Sequence, residues 1–182
     1  MKKSRAVCFI LVLCAGHVFA GSFSIQAKAS YFLPADSYFK SIYGNAPTFG
    51  AKIGLDIWKG LGVWVDAEFY SKKGKTSLSG EETELQLFPL AAGIRCMFLR
   101  SRSFSPYLGA GIGYFQYKEV NPIGTVSKSD TGFVAQAGFM LKLGRTFFFD
   151  IQGSFSNCKV NPAGVEADLG GWKAGLGLGI SF

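Results

Sequence analysis

The eleven residues from Trp172 to Phe182 constrain the fold of this chain more than any other stretch. Apolar and small or polar side chains alternate strictly along it. Trp172, Ala174, Leu176, Leu178, Ile180 and Phe182 fall on one side, and Lys173, Gly175, Gly177, Gly179 and Ser181 on the other. Successive residues of a strand point to opposite faces, so this segment has one greasy face and one slim polar face. Such a split, closing on an aromatic, points to a strand that crosses a membrane.

The same period of two recurs along the chain. It predicts strands at 22–33, 48–58, 61–72, 83–99, 104–118, 131–143, 146–158 and 169–182. Evenly spaced alternating segments are the signal of an all-β barrel or sandwich. The connectors alternate in length. Lys59-Gly60, Arg100 to Ser103 and Gly144-Arg145 are short, whereas Pro34 to Pro47, Lys73 to Glu82, Glu119 to Asp130 and Lys159 to Asp168 are longer. Short turns at one end and longer loops at the other are the layout of bacterial membrane barrels. Pro89 interrupts the fourth segment. It lacks a ladder donor, so a bulge or local register change is expected there, with Leu85 and Leu87 turned inward near the loop end.

The direction of the apolar face decides the class. A soluble carrier barrel turns it inward, and a membrane barrel turns it outward. Eight strands enclose an interior only just wide enough for side chains. Phe49, Ile53, Val65, Phe149 and Ile151 are bulky, whereas the opposite faces are rich in Gly, Ser and Gln. Facing Asp66, Glu68 and Asp150 toward lipid would cost on the order of several kcal/mol. The expected fold is therefore an all-β, eight-stranded, antiparallel, up-and-down transmembrane β-barrel with a lumen filled by polar side chains. A soluble periplasmic carrier barrel is the alternative from another class.

The first twenty residues read as a signal peptide, with the barrel domain spanning 21–182. A basic start (Lys2, Lys3, Arg5), an apolar run from Ala6 to Leu13 and the small-residue pattern at Val18-Phe19-Ala20 support cleavage before Gly21. A lipoprotein site at Cys14 is disfavoured by the bulky Leu13 before it. Cleavage lowers the formal charge from +7 to +4 and removes His17, the only histidine. After this leader no apolar run approaches the roughly 18 residues of a membrane helix. The remaining charge is too modest to argue for nucleic acid.

Two further stretches, Phe88-Pro-Leu-Ala-Ala-Gly-Ile-Arg95 and Pro106-Tyr-Leu-Gly-Ala-Gly-Ile-Gly-Tyr114, complete the pattern. With the leader, the eight strands and the terminal Phe182, they resemble the small OmpA/OmpX-like outer-membrane β-barrel superfamily. That resemblance implies an outer-membrane location. It also implies that Trp172, Leu176, Leu178, Ile180 and Phe182 form the signal read by the barrel-assembly machinery. Outer-membrane lipid, lipopolysaccharide and periplasmic chaperones are the other partners it implies, with no cofactor. No peptidoglycan-binding domain of the kind that follows some family members is expected after Phe182. The superfamily hosts several functions, so fold alone does not choose among them.

The residues with chemistry to offer are the inward charges Lys28, Lys52, Asp56, Asp66, Glu68, Arg95, Lys142, Asp150 and Lys173. Buried charges must pair or be hydrated. They make either a closed polar plug or a narrow, porin-like channel for ions or small solutes. The plug implies a structural or surface-interaction role.

Other candidate features carry less. Gly109, Gly111 and Gly113 superficially match a phosphate-cradling loop, but Tyr114 to Tyr117 continues a strand where such a loop needs a helix. Lys72, Lys73 and Lys75, followed by Glu81, Glu82 and Glu84, read as a solvated hairpin tip rather than a lipopolysaccharide contact. Tyr38, Phe39, Ile42 and Tyr43 read as an interfacial aromatic belt in preference to an adhesive tip. No catalytic residue is expected: without histidine after the leader, no Ser-His pair and no His-based metal site can be assembled. Cys96 and Cys158 fall at opposite ends of non-adjacent strands and are expected to stay free.

Overall fold

Wherever apolar and polar side chains alternate, the chain is extended, and the extended segments close on one another. The computed structural model describes residues 21–75, 82–99, 103–121, 124–160 and 167–182. The expected leader, 1–20, lies outside the described residues. Eight strands form a closed barrel: β1 (Phe23–Pro34), β2 (Ala46–Trp58), β3 (Leu61–Lys75), β4 (Glu82–Met97), β5 (Phe104–Asn121), β6 (Gly124–Leu143), β7 (Phe147–Asn157) and β10 (Gly171–Ser181). All neighbours are antiparallel and sequential. The seam is closed by β1 on β10, in register from Ser24 opposite Ser181 to Pro34 opposite Gly171. A short ribbon, β8 (Lys159–Val160) with β9 (Ala167–Asp168), lies outside the barrel. A single helix, α1 (Ser37–Tyr43), occupies the first loop.

The apolar faces point outward. Phe49, Ile112, Leu178 and Phe182 are among the most exposed side chains, at 62%, 74%, 57% and 72%. Along β1 buried and exposed residues alternate without a break from Ser24 to Pro34. A soluble carrier would show the reverse arrangement. Exposed apolar area of this extent marks a surface that another apolar phase covers.

The β2–β3 turn shows how local chemistry sets register. Trp58 pairs with Leu61, leaving Lys59-Gly60 as a two-residue loop. Both central residues have positive φ, 37° at Lys59 and 99° at Gly60, the requirement of a tight hairpin whose twist matches the strands. A bulge between Asp56 and Trp58 accompanies it.

Several expectations need correction. The third loop, expected over Glu119 to Asp130, is mostly ladder: β5 and β6 pair as far as Asn121 opposite Gly124. The first loop holds α1, and the fourth holds the β8–β9 ribbon. Pro89 causes no shift of register. It pairs in step with Phe115 on β5, and the β3–β4 ladder, interrupted opposite it, resumes unchanged from Ala67–Leu90 to Tyr70–Leu87. The missing donor falls in that interruption, so no bulge is needed. Leu85 and Leu87 do point inward and are buried.

Candidate functional site

The interior divides into three zones along the barrel axis. Across the middle, inward positions of six strands bring charges together. Lys28 Nζ lies 2.5 Å from Asp66 Oδ2 and also contacts Glu68. Lys173 reaches the other Glu68 oxygen. Lys52 donates to Gln136 Oε1 at 2.8 Å and to Gln152, and lies 4.0 Å from Asp150. Asp150 is fully buried and accepts from Gln26 Nε2 at 3.0 Å and from the Tyr107 hydroxyl. Arg95 Nη2 donates to Asp56 Oδ1 at 2.9 Å. Among the expected inward charges, four cations thus meet four anions in three neutral groups. Isolated charges in so confined a space would be costly, and mutual pairing offsets that cost.

Lys142 stands apart from these groups. It sits two residues from the turn, opposite Phe148 on β7, and its side chain is exposed at the barrel mouth. A long lysine stem at a strand end carries its ammonium to the rim of the lumen, where water reaches it.

Toward the loops the interior becomes apolar. Phe32, Tyr70, Leu85, Leu87, Phe115 and Tyr117 continue the inward faces of their strands and are buried. Phe39 and Tyr43 of α1 descend onto them, so the belt reading of these two residues is corrected: both face the interior. Ile42 packs half-buried against the same cluster, and the side chain of Tyr38 lies outside the described residues. The rings interlock: Phe32 meets Tyr70 edge-on at 5.6 Å, and Phe39 meets Tyr43 at 5.2 Å. Asp36 starts the helix, its carboxylate accepting the Phe39 N–H at 3.0 Å. Burial pushes the Tyr43 phenol up to about 12, despite a hydrogen-bond contact with Thr83 at 3.4 Å.

Sequence reasoning missed this seal. Part of its signal was present, because Phe32, Tyr70, Phe115 and Tyr117 keep the parity of Lys28, Glu68 and Gly113 on their own strands. The helix carries no such signal, since nothing in its seven residues says which face turns inward.

At the turn-bearing end Met97, Tyr107, Met140 and Phe148 form a smaller apolar group, beside a cavity of about 190 Å³. The final strand's Trp172, Leu176, Leu178, Ile180 and Phe182 occupy the outward face between β1 and β7, and Phe182 stacks near Phe23 with ring centres 6.3 Å apart. Cys96 is exposed and Cys158 buried, and both are free. Among the described residues no cluster of metal-ligating side chains is present.

The family model for the outer membrane protein β-barrel domain matches residues 6–182. No curated protein matches the chain in sequence. Among solved structures it is similar to the outer membrane protein OprG of Pseudomonas aeruginosa, at 16% identity and TM-score 0.71, over 90% of this chain and 97% of that one. It is also similar to Neisserial surface protein A (17%, TM-score 0.60, 87% and 95% covered). A third is the attachment invasion locus protein Ail of Yersinia pestis, in complex with the heparin analogue sucrose octasulfate (18%, TM-score 0.56, 89% and 97%). Identities this low speak for the fold alone. With the family match over nearly the whole length and a closed, outward-apolar barrel, the chain belongs to the outer membrane protein β-barrel domain family.

Proposed function

We propose that this protein is a sealed, non-enzymatic outer-membrane barrel that serves the cell surface through the part of its sheet standing beyond the seal. The observation that carries the reading is the aromatic closure: Phe32, Tyr70 and Phe115 are each 1% exposed, and Leu85 and Leu87 are 2% exposed. A water-filled path past these side chains would leave them accessible. The neutral pairing of the interior charges also suits a plug better than an ion-selective filter, which needs an excess of one sign.

The contact surface is the protruding ladder of β3 to β6. Between β6 and β7 the described pairing stops at Phe133 opposite Asn157, whereas β5 and β6 continue to Asn121 and Gly124. Among the described residues, 125–130 therefore pair on one side only, and all are exposed. An unpaired edge outside the membrane can take an extended segment of a partner as an added strand. The outward apolar face of β10 serves recognition by the assembly machinery, with Phe182 as its terminal mark. Lipid and lipopolysaccharide cover the apolar belt.

Conductance of the refolded protein in a planar bilayer tests the reading, with insertion verified by heat-dependent gel mobility. Verified insertion with no discrete openings is expected. Reproducible stepwise openings would overturn the seal and favour a narrow channel.

A further inference from the structure

The cavity at the turn-bearing end has a one-sided lining. Its volume of about 190 Å³ far exceeds the roughly 10–15 Å³ that one water requires. Its base is Arg95, buried, with Nη2 on Asp56 at 2.9 Å. Gly54 leaves room for this guanidinium, since a Cβ there would fall 2.6 Å from Nη2 and 2.7 Å from Ser24 Oγ. Lys142 and Arg145 stand exposed at the rim. Among the described residues Asp56 is the only acidic side chain in the lining, and Arg95 already engages it. Residues with hydroxyl donors, Ser22, Ser24, Ser105, Thr146 and Ser181, complete the polar wall.

The described turns at this end carry the same sign: Lys59-Gly60, and Gly144 to Thr146 with Arg145, hold no Asp or Glu. The loop-bearing end is different: there Lys73 faces Glu84 and Lys75 faces Glu82 across the β3–β4 ladder. Clustered cations with hydroxyl donors, and no unengaged acidic side chain among the described lining residues, repel metal cations. They match the charge and the several acceptor oxygens of an oxyanion.

We propose that this mouth binds a phosphate-type oxyanion, with Lys142 and Arg145 as rim ligands above the Asp56-paired guanidinium of Arg95. A free phosphate ion and the headgroup phosphate of an anionic phospholipid offer the same chemistry.

The test uses the protein in phosphatidylcholine nanodiscs and follows backbone amide shifts by NMR as inorganic phosphate is added. Saturable movement of the Ser24, Ser105 and Ser181 amides is expected, and Lys142→Gln with Arg145→Gln weakens it by about tenfold or more. The loop-end control, Lys72→Gln with Lys73→Gln, leaves the response unchanged. A second arm replaces added phosphate with phosphatidylglycerol in the nanodisc. Movement of the same amides only there, lost in the rim variant, also supports the site and assigns the oxyanion to lipid. Amides unmoved in both arms, or moved equally in the rim variant, overturn the proposal. Gel mobility verifies folding of each variant, and the two rim substitutions are read singly if the pair fails to fold.

Discussion

At the loop-bearing end the interior is closed by interlocked rings under a short helix. At the turn-bearing end, on the same strands, it opens into a cavity lined by serines and cations. Strand number is the same at both ends, so it does not decide whether such a barrel is open. Side-chain volume on the inward positions does. Eight strands leave a lumen that Phe and Tyr can fill and that Ser and Gly leave vacant. The neutral ion groups between the two zones add a floor to the seal and a ceiling to the cavity.

The sharpest way to break this contrast is to empty the seal. Phe32→Ala with Tyr70→Ala removes two rings in contact, and each truncation costs about 3–5 kcal/mol, with partial coupling between them. Lower resistance to urea in micelles is expected, together with new current in planar bilayers. Met97→Ala with Met140→Ala, at the already open end, should add none. An equal gain from both pairs would show that the seal is not what closes the barrel.

The ionic middle comes next. Glu68→Ala leaves Lys28 with Asp66 and takes away the carboxylate that Lys173 holds, and stranding a buried partner costs about 3–5 kcal/mol. Chemical unfolding of refolded protein measures it, and a loss within error would mean that water already screens the group.

Tyr43 sharpens the account of the seal by pH. Its phenol is raised to about 12, above the unfolded value near 10. The folded state therefore holds the proton longer. This contribution is complete below pH about 10 and is lost as pH rises toward about 12. Tyr43→Phe should flatten that fall, and ultraviolet titration of tyrosinate should find Tyr43 among the late-ionising phenols.

Thiol labelling gives a further contrast between the ends. Cys158, fully buried near the loops, has its thiol pushed up to about 12 by burial and by Asp130 and Asp168. Cys158 should stay unlabelled by maleimide at neutral pH until the protein unfolds, whereas outward-facing Cys96 reacts with an apolar reagent in micelles. The smallest effect is expected at Lys59, whose positive φ of 37° suits asparagine better. Lys59→Asn should stabilise by up to about 1 kcal/mol, read as a shift in the urea midpoint.

The barrel was legible because burial differs between its two faces within the membrane, and that difference writes itself as alternation. Above the membrane the signal fades. From Gly124 to Asp130 both faces of β6 meet water, so Thr125 to Asp130 show no period of two and read as loop. Inward charges such as Lys52 and Glu68 stood out by their parity. Their partners did not, because pairing across the lumen depends on strand stagger, which no single segment encodes. Lys142 shows the limit of parity, since a correct face at a strand end still leads into solvent. Pro89 shows another: a missing donor predicts damage to a ladder, and here the damage stops at one interruption.

The seam between β1 and β10 has a kinetic consequence. Ser22 and Ser181 share a 2.6 Å hydrogen bond across 159 residues of sequence. No barrel can close until the final strand has been synthesised and delivered. Until then β1 and β7 each present an edge of unpaired backbone, which in an aqueous compartment recruits other chains and in a bilayer has no partner at all. Contacts this distant form slowly because loop closure precedes any reward. The chain's exposure to aggregation is thus set by the wait for the strand that runs from Gly171 to Ser181.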